Sequence, residues 1–303
     1  MTIDLQRLAD NRFILQLISA LGRRLPPRLG HQLADGVAVW LAHQQGLNLV
    51  RAVRANQWVV RGESLGKEEL DQAVRDTLRN SARSIFDLYH YIQNPEAIQR
   101  MVILPPLIQK LVMQSEFNDR GLLVAGLHLS NFDLVLQWLC KQGIKPLVLT
   151  IPDPRGSHLT EFEMRRMTGM NILPASVGAL MQAIRHLQRG GFVLTGIDRP
   201  IPGLKAFPRF FGRPAALPMH HIFLAIKAQV PVLILAARLD PDGKYHVLAS
   251  RLIEMDSHPD REIRALRNAE KVLYTAETFI RQVPEQWSVP LPVWPEIVDL
   301  PPR

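Results

Sequence analysis

The chain has 303 residues, of which 47% are hydrophobic and 21% are charged, and its formal net charge is +8. This length and apolar fraction are enough for a folded core, which excludes a disordered chain as the default interpretation. The positive charge favours an anionic partner, which could be a nucleic acid, an acidic lipid surface or a phosphorylated carrier. The single cysteine, Cys140, excludes an intramolecular disulfide.

Residues 1–62 are the first predicted unit, an N-terminal helical segment. Residues 1–61 hold eight arginines and three aspartates but no lysine or glutamate, and apolar residues recur at helical spacing. Pro26 and Pro27 end the first helix, and a second helix is predicted from Pro27 to about Gln45. No run of 18 or more apolar residues is found, so we expect docking on a membrane surface rather than a span. A two-helix cap packed on the main domain is the alternative.

Residues 63–283 are predicted to form an α/β domain, with a helical lead-in to about residue 119 that includes a helix over 67–92. From residue 120, continuous apolar segments alternate with helical ones. The predicted strands span 122–126, 146–151, 171–174, 192–196 and 232–237, and the predicted helices span 134–142, 159–168, 177–189 and 217–229. This alternation indicates a mostly parallel central sheet flanked by helices.

The end of the chain carries a strong turn and a proline-rich segment. Asp240–Gly243 has the composition of a tight turn, so residues 244–249 are predicted to return as an antiparallel strand. A last helix is predicted from about residue 261 to 282. Residues 284–303 are predicted to be an extended, proline-rich tail.

Reactive side chains follow two of the predicted strands. His128 and Asp133 come after the strand 122–126, and Asp198 and Arg199 come after the strand 192–196. Ligands of open α/β sheets bind at the carboxyl ends of the strands. A turn between strand and helix could bring Asp133 to one ring nitrogen of His128, leaving the other nitrogen free to take a proton from a hydroxyl. His158 and Glu163 have the same spacing, but they lie inside a predicted helix, where their side chains diverge.

The block Gly126–Asp133 resembles the His-x4-Asp/Glu motif of glycerolipid acyltransferases. The chain is more narrowly similar to the bacterial lipid A biosynthesis (late) acyltransferases and their relatives that acylate phosphatidylinositol mannosides. Further similar blocks follow in the same order along residues 50–287, namely Arg165 with Gly169, Gly190–Asp198, Phe210–Ala215, Val230–Val232 and Pro284–Trp287. The resemblance implies a glycerolipid-acyltransferase-like fold with an N-terminal helical membrane-docking segment.

The resemblance also implies roles for individual residues. His128 would be the general base and Asp133 would orient it. Substrate-binding residues are expected at Asn131, Arg165, Asp198, Arg199, Phe211, Gly212 and Arg213. Arg165 and Asp198 would line the same cleft, where they would help to place the acceptor or the charge that develops on the thioester carbonyl.

Residues 199–213 hold four basic residues, no acid and three phenylalanines. Such a loop suits phosphate groups and lipid tails at a membrane surface, although basic residues among aromatics are also typical of nucleic-acid binding. No nucleic-acid recognition module is found, so no nucleic-acid partner is expected. Ser130 stands where the family commonly has glycine, and the family's C-terminal signature after Trp287 is missing. These departures keep open a catalytically silent lipid-binding protein of the same fold.

The sequence therefore predicts a membrane-associated O-acyltransferase of class EC 2.3.1. It would move a fatty acyl chain from acyl-CoA or acyl-carrier protein to a hydroxyl of a lipid or glycolipid acceptor. No cofactor and no metal are expected, because no nucleotide-binding or metal-binding motif is found and the pair His220–His221 has no acid or cysteine at ligand spacing. The expected location is peripheral or monotopic, at the cytoplasmic face of the plasma (inner) membrane. An acyl hydrolase that uses the same pair on water is a further alternative.

Overall fold

A computed structural model describes residues 22, 24–92, 94–114, 120–150, 165–166, 170–201 and 203–302. The helices are α1 (Pro27–His43), α2 (Asn48–Val60), α3 (Lys67–Tyr91), α4 (Pro95–Met101), α5 (Pro106–Gln114), α6 (Phe132–Lys141), α7 (Val177–Gln188), α8 (His220–Ala228) and α9 (Arg261–Ile280). The strands are β1 (Val102–Ile103), β2 (Leu122–Gly126), β3 (Leu147–Thr150), β4 (Asn171–Pro174), β5 (Phe192–Gly196), β6 (Arg209–Phe210), β7 (Arg213–Pro214), β8 (Val232–Leu239) and β9 (Tyr245–Ala249).

Seven strands form one sheet in the order β1-β9-β8-β2-β5-β3-β4. All neighbouring pairs are parallel except β8 and β9, which are antiparallel and joined by the turn at Asp240–Gly243. The predicted mostly parallel sheet flanked by helices and the antiparallel return after residue 243 are both confirmed. The predicted helix over 159–168 lies mainly outside the described residues.

Both faces of the sheet are buried, which explains why its strands read as continuous apolar runs. One face packs against α7, α8, α9 and the end of α2, with side chains such as Val193 and Ile234 in its core. The other face packs against α6 and the helical lead-in, with Leu122 and Val124 in its core. The carboxyl ends of β2, β5, β3 and β8 therefore lie together at one open edge of the sheet.

The N-terminal helices and the C-terminal segment are joined to this core. α1 packs along α3, and α2 buries Ala55, Val59 and Val60 in the main core. Residues after α9 form two short 3-10 turns, Pro284–Gln286 and Pro295–Ile297, and their aromatic and branched side chains enter the same core. The segment predicted as an extended, proline-rich tail thus contributes buried side chains to the core.

Among the described residues, no helix combines the length and the apolar character that a membrane crossing requires.

Candidate active site

Parallel pairing of two strands brings His128 and Asp198 together. β2 pairs with β5 in a register that sets Gly126 opposite Gly196, so the residues two positions further along each strand are also neighbours. His128 Nδ1 lies 2.6 Å from Asp198 Oδ1, and the backbone N–H of His128 donates to Asp198 Oδ2 at 2.8 Å. The two loops that leave the central strands are therefore joined through one carboxylate.

The Asp198 carboxylate is fully buried and receives a third hydrogen bond, from Trp287 Nε1 to Oδ2 at 2.9 Å. Burial alone would raise the pKa of Asp198, but the positive charge that His128 can carry and the hydrogen bonds from His128 and Trp287 lower it below its ordinary value. A carboxylate with a lowered pKa only accepts hydrogen bonds. His128 Nδ1 is therefore the donor in the shared bond, and its tautomer is fixed.

The second ring nitrogen of His128, Nε2, is not used in the contact with Asp198. In the part of the chain that the structure describes, Nε2 has no hydrogen-bond partner, and the side chain is only partly buried. The ring is held on two sides. Phe132 packs edge-on against it, with ring centroids 4.8 Å apart, and the backbone of Gly196 lies so close that an added Cβ would be 3.0 Å from His128 Cε1.

The structure does not bring Asp133 to His128 as the sequence predicted, because Asp133 lies in the first turn of α6 and pairs with Arg165. The Arg165 guanidinium donates to both of its oxygens, from Nε and from Nη2, at 2.9 Å each. Gln137 Nε2 adds a longer contact of 3.3 Å. The carboxylate that contacts His128 is Asp198, which the sequence placed only in the surrounding cleft. Arg165 and Asp133 form a partly buried, bidentate ion pair beside the His128 loop.

The C-terminal segment completes the loop that carries His128. Leu129 and Trp287 form an antiparallel bridge. The backbone N–H of Ser130 donates to the carbonyl of Gln286 at 2.8 Å, and that of Ser288 donates to the carbonyl of His128 at 3.0 Å. Ser130 has a φ of 50°, a region that favours glycine, which gives a physical reason for the glycine common in the similar family.

Three aromatic rings pack around the indole of Trp287, namely those of Phe210, Phe211 and Trp294. Phe210 stacks on Trp294 with centroids 5.8 Å apart, and it meets Trp287 edge-on at 5.9 Å. Phe211 adopts a φ of 50°, its N–H donates to Glu277 at 2.6 Å, and the Arg281 guanidinium lies 4.6 Å from its ring centroid. The role of Trp287 was not predicted, because a Pro-Glu-Gln-aromatic block says nothing about which carboxylate its indole reaches.

The remaining residues expected to bind substrate have defined places. Gly212 makes the β6–β7 turn with a φ of 77°, and the Arg213 side chain pairs with Glu63, with Nη2 and Oε2 at 2.7 Å. Asn131 caps α6, accepting from Leu134 N–H at 3.3 Å and donating to the carbonyl of Ser84 at 2.9 Å. Arg199 is half-buried directly after Asp198.

These contacts give Asn131, Phe211 and Arg213 structural partners. Their expected contact with a substrate stays a prediction.

The adjacent histidines at the start of α8 lie on the opposite face of the sheet from α6. His220 Nε2 is 2.7 Å from the Thr195 hydroxyl, and burial lowers its pKa to about 4. His221 is completely buried, and burial together with the neighbouring histidine lowers its pKa to about 3. Both rings are therefore neutral near pH 7.

Comparison with known families gives a match that covers nearly the whole chain. The model of the family described as bacterial lipid A biosynthesis acyltransferase matches residues 9–294. A search of curated protein sequences gives no significant match.

Proposed function

Since this chain belongs to the bacterial lipid A biosynthesis acyltransferase family, we propose that it moves a fatty acyl chain from a thioester to a hydroxyl of a lipid or glycolipid. The donor would be acyl-CoA or acyl-carrier protein. The acceptor would be lipid A-like or phosphatidylinositol mannoside-like. The observation that carries the proposal is the 2.6 Å contact between His128 Nδ1 and Asp198 Oδ1. Because Nδ1 makes this contact, Nε2 of the same ring would be the atom that accepts a proton.

His128 would act as the general base. Its Nε2 takes the proton of the acceptor hydroxyl while the hydroxyl oxygen attacks the thioester carbonyl carbon. The new C–O bond forms, the C–S bond breaks, and the leaving thiolate receives the same proton from Nε2. Asp198 holds the tautomer and stabilises the positive charge that the ring gains, as in a catalytic triad whose nucleophile is the substrate's own alcohol.

Asp133 would act through Arg165. A bidentate ion pair of this kind fixes a guanidinium in one orientation and is costly to break when it is partly buried. Arg165 is thereby held beside the loop that carries His128, where its charge would favour an acceptor phosphate or the oxyanion of the transition state.

The location would be peripheral, at the cytoplasmic face of the inner membrane. An enzyme with lipid substrates must meet a membrane surface, and the net charge of +8 would draw it to anionic lipids. No cofactor is proposed, because the thioester of the donor substrate supplies the activated acyl group.

The test uses palmitoyl-CoA and palmitoyl-loaded acyl-carrier protein with a bacterial lipid extract, following thiol release and new lipids by mass spectrometry. We expect His128→Ala and Asp198→Asn to lower the rate by about 10²–10⁴-fold. Asp133→Asn is the matched control, since it also removes a buried carboxylate charge beside this loop, and it should cost less. A larger loss in Asp133→Asn than in Asp198→Asn would contradict the assignment of the orienting carboxylate.

The same assay separates the alternatives. Thiol release without a new lipid would identify an acyl hydrolase. Vesicle binding with no thiol release would identify a catalytically silent lipid-binding protein. The hydrogen-bonded pair His128–Asp198 favours an active enzyme over the silent protein, because a chain that no longer catalyses has no need for a buried carboxylate with a fixed imidazole.

A further inference from the structure

A buried carboxylate on α3, Asp87, lies at the centre of a hydrogen-bond network that has no part in the mechanism described above. Its Oδ2 lies 2.6 Å from the hydroxyl of Tyr245, and its Oδ1 lies 2.7 Å from His31 Nε2. Tyr245 begins β9 and is completely buried. Each oxygen of the carboxylate therefore has a partner, and the Tyr245 hydroxyl is fixed between α3 and the sheet.

The direction of the bond between Tyr245 and Asp87 follows from the chemistry of the two groups. Burial, and then the negative charge of Asp87, raise the pKa of Tyr245 well above its ordinary value, so the phenol keeps its proton. A charged carboxylate has no hydrogen to donate, so the hydroxyl gives its single hydrogen to Asp87. Toward any other neighbour, the oxygen of Tyr245 can then only accept.

The other neighbour of this oxygen is the side-chain amide of Asn131, which caps α6. Asn131 Nδ2 lies 3.5 Å from the Tyr245 oxygen and donates to the carbonyl of Ser84 at 2.9 Å. Both partners are acceptors, so the NH2 group of the amide must face them. Its Oδ1 then faces the backbone N–H of Leu134 and accepts from it at 3.3 Å. The Ser84 carbonyl and the Asp87–Tyr245 pair thus fix the orientation of the capping amide.

The orientation of this amide matters for His128 because the base and the cap share one short loop. Phe132 follows Asn131 and packs edge-on against the His128 ring, with centroids 4.8 Å apart. Asp133 comes next and holds Arg165. An amide that turned over would lose its bond to α6 and release the turn that carries both contacts. Displacement of a reacting group by about 1 Å can cost about 10²-fold in rate.

We propose that Tyr245 and Asp87 are positioning residues for the proposed acyl transfer, and that they act through Asn131 to hold the loop that carries His128. Neither residue touches the reacting atoms. The inference rests on the proposed function for the role of His128, whereas the hold on the loop can be measured without it. No sequence motif indicates this pair, because its two members are 158 residues apart in sequence.

The first test compares the loss of two buried hydroxyls. Tyr245→Phe removes the hydroxyl and keeps the ring. Thr77→Val is the matched control, because Thr77 is also buried and lies on the same helix as Asp87, but its hydroxyl donates to the carbonyl of Ala73 within that helix. Palmitoyl transfer from palmitoyl-CoA to a bacterial lipid extract is measured below the melting temperatures of both variants.

We expect Tyr245→Phe to lower kcat about ten-fold and to change KM for palmitoyl-CoA less than about two-fold, while Thr77→Val keeps both within about two-fold. A merely structural hydroxyl would lower the melting temperature in either variant and leave kcat below the melt unchanged. Equal kcat values for Tyr245→Phe and Thr77→Val would therefore overturn the proposal.

Hydrogen exchange reads the cap without any substrate. The backbone N–H of Leu134 depends on the Asn131 cap, so a peptide that contains Leu134 should exchange several-fold faster in Tyr245→Phe than in the unsubstituted chain. Thr77→Val should leave the exchange of this peptide unchanged. Unchanged exchange in Tyr245→Phe would overturn the proposal, whatever the kinetics give.

Two substitutions of Asp87 separate its acceptor from its charge. Asp87→Asn can still accept from Tyr245 through its carbonyl, with its NH2 group toward His31, whose Nε2 accepts in the other tautomer. We expect this variant to keep kcat within about three-fold and Asp87→Ala to lose as much as Tyr245→Phe. Circular dichroism melts establish that both variants fold. Equal losses in the two Asp87 variants would overturn the argument from hydrogen-bond direction.

A double substitution tests whether Tyr245 acts through Asn131. Adding Tyr245→Phe to Asn131→Ala should cost little beyond Asn131→Ala alone, because the partner of the hydroxyl is already gone. Losses that multiply would show that Tyr245 acts by another route and would overturn the proposal.

Failure of the proposed function gives a different result. An unsubstituted chain that transfers no acyl group would refute that function, and exchange at Leu134 would still decide whether Tyr245 holds the loop. Transfer that His128→Ala abolishes and Tyr245→Phe leaves intact would overturn this inference alone.

Discussion

Replacing Trp287 by phenylalanine should weaken the fold and the His128–Asp198 pair more than the same change at Trp294 does. Both indoles are fully buried in the same aromatic cluster, so both variants lose a similar volume. They differ in one respect. Trp287 Nε1 donates to Asp198, and Trp294 Nε1 has no partner among the described residues. The difference between the two variants therefore isolates one hydrogen bond to a buried carboxylate.

The size of the effect follows from that bond. A hydrogen bond to a charged group contributes about 1.5–3 kcal/mol, and we take about 2 kcal/mol as the expected difference in the free energy of unfolding. An unfolding entropy of about 2.1 cal/mol/K per residue gives about 0.6 kcal/mol/K for a chain of this length, so the melting temperatures should differ by about 3 °C. Trp294→Phe removes an N–H that is already unsatisfied, which offsets part of its packing loss.

The pH dependence has a definite sign. The folded-state pKa of Asp198 is lowered, so its stabilising contribution is present above the ordinary carboxyl pKa of about 3.9 and is lost as the pH falls through the lowered value. The two variants should differ at pH 7 and converge in strong acid. Thermal melts followed by circular dichroism measure the stability of each variant across pH, and kcat/KM for palmitoyl-CoA measures its activity. Equal losses in the two variants at pH 7 would refute the role assigned to Trp287.

Four further substitutions probe other close contacts of the fold. Gly196→Ala should lower kcat about ten-fold with little loss of stability, because its Cβ would meet the ring of His128 at 3.0 Å, while Gly126→Ala, whose nearest atom is 3.7 Å away, should be milder in the same assay. Gly30→Leu should separate α1 from α3 and lower the melting temperature, and an unchanged melt would argue against their close packing. Because the folded-state pKa of His221 is depressed to about 3, its stabilising effect fades as the pH falls below about 6.5, by about 1.4 kcal/mol per pH unit. The free energy of unfolding in urea should therefore differ less between pH 7 and pH 5 in His221→Gln than in the unsubstituted chain, and an equal difference would show that folding does not lower the pKa of this ring.

The sequence predicts the bounds of the strands better than it predicts which strands lie side by side in the sheet. β2, β4 and β5 have the predicted bounds, because each is an apolar run that glycine, proline or a polar residue interrupts. Their order in the sheet depends on packing between distant segments, which local patterns do not encode. The antiparallel return of β9 was predictable because a local turn alone determines it.

The carboxylate that contacts His128 illustrates this limit of local sequence patterns. A spacing of five residues favours Asp133, which is near His128 in sequence. Asp198 is 70 residues away and becomes its partner only because β2 and β5 are neighbours in register. The ion pair of Asp133 with Arg165 also depends on a long-range contact. The prolines after residue 284 describe the local backbone, and they do not reveal that Trp287 and Trp294 are buried in the core.

The bridge between Leu129 and Trp287 has a consequence for the order in which the protein becomes active. Ribosomes make residues 122–198 well before residue 287, so the sheet can begin to form while Asp198 still lacks its indole and the carbonyl of His128 lacks the N–H of Ser288. Contacts between residues about 160 positions apart form late in folding, because bringing distant parts of the chain together costs conformational entropy. A chain that stalls or is cut before residue 287 would keep the contact between His128 and Asp198 but would lose the hydrogen bonds that Trp287 and Ser288 donate to this pair. The segment around Trp287 thus completes the support of the His128 loop after the sheet has formed.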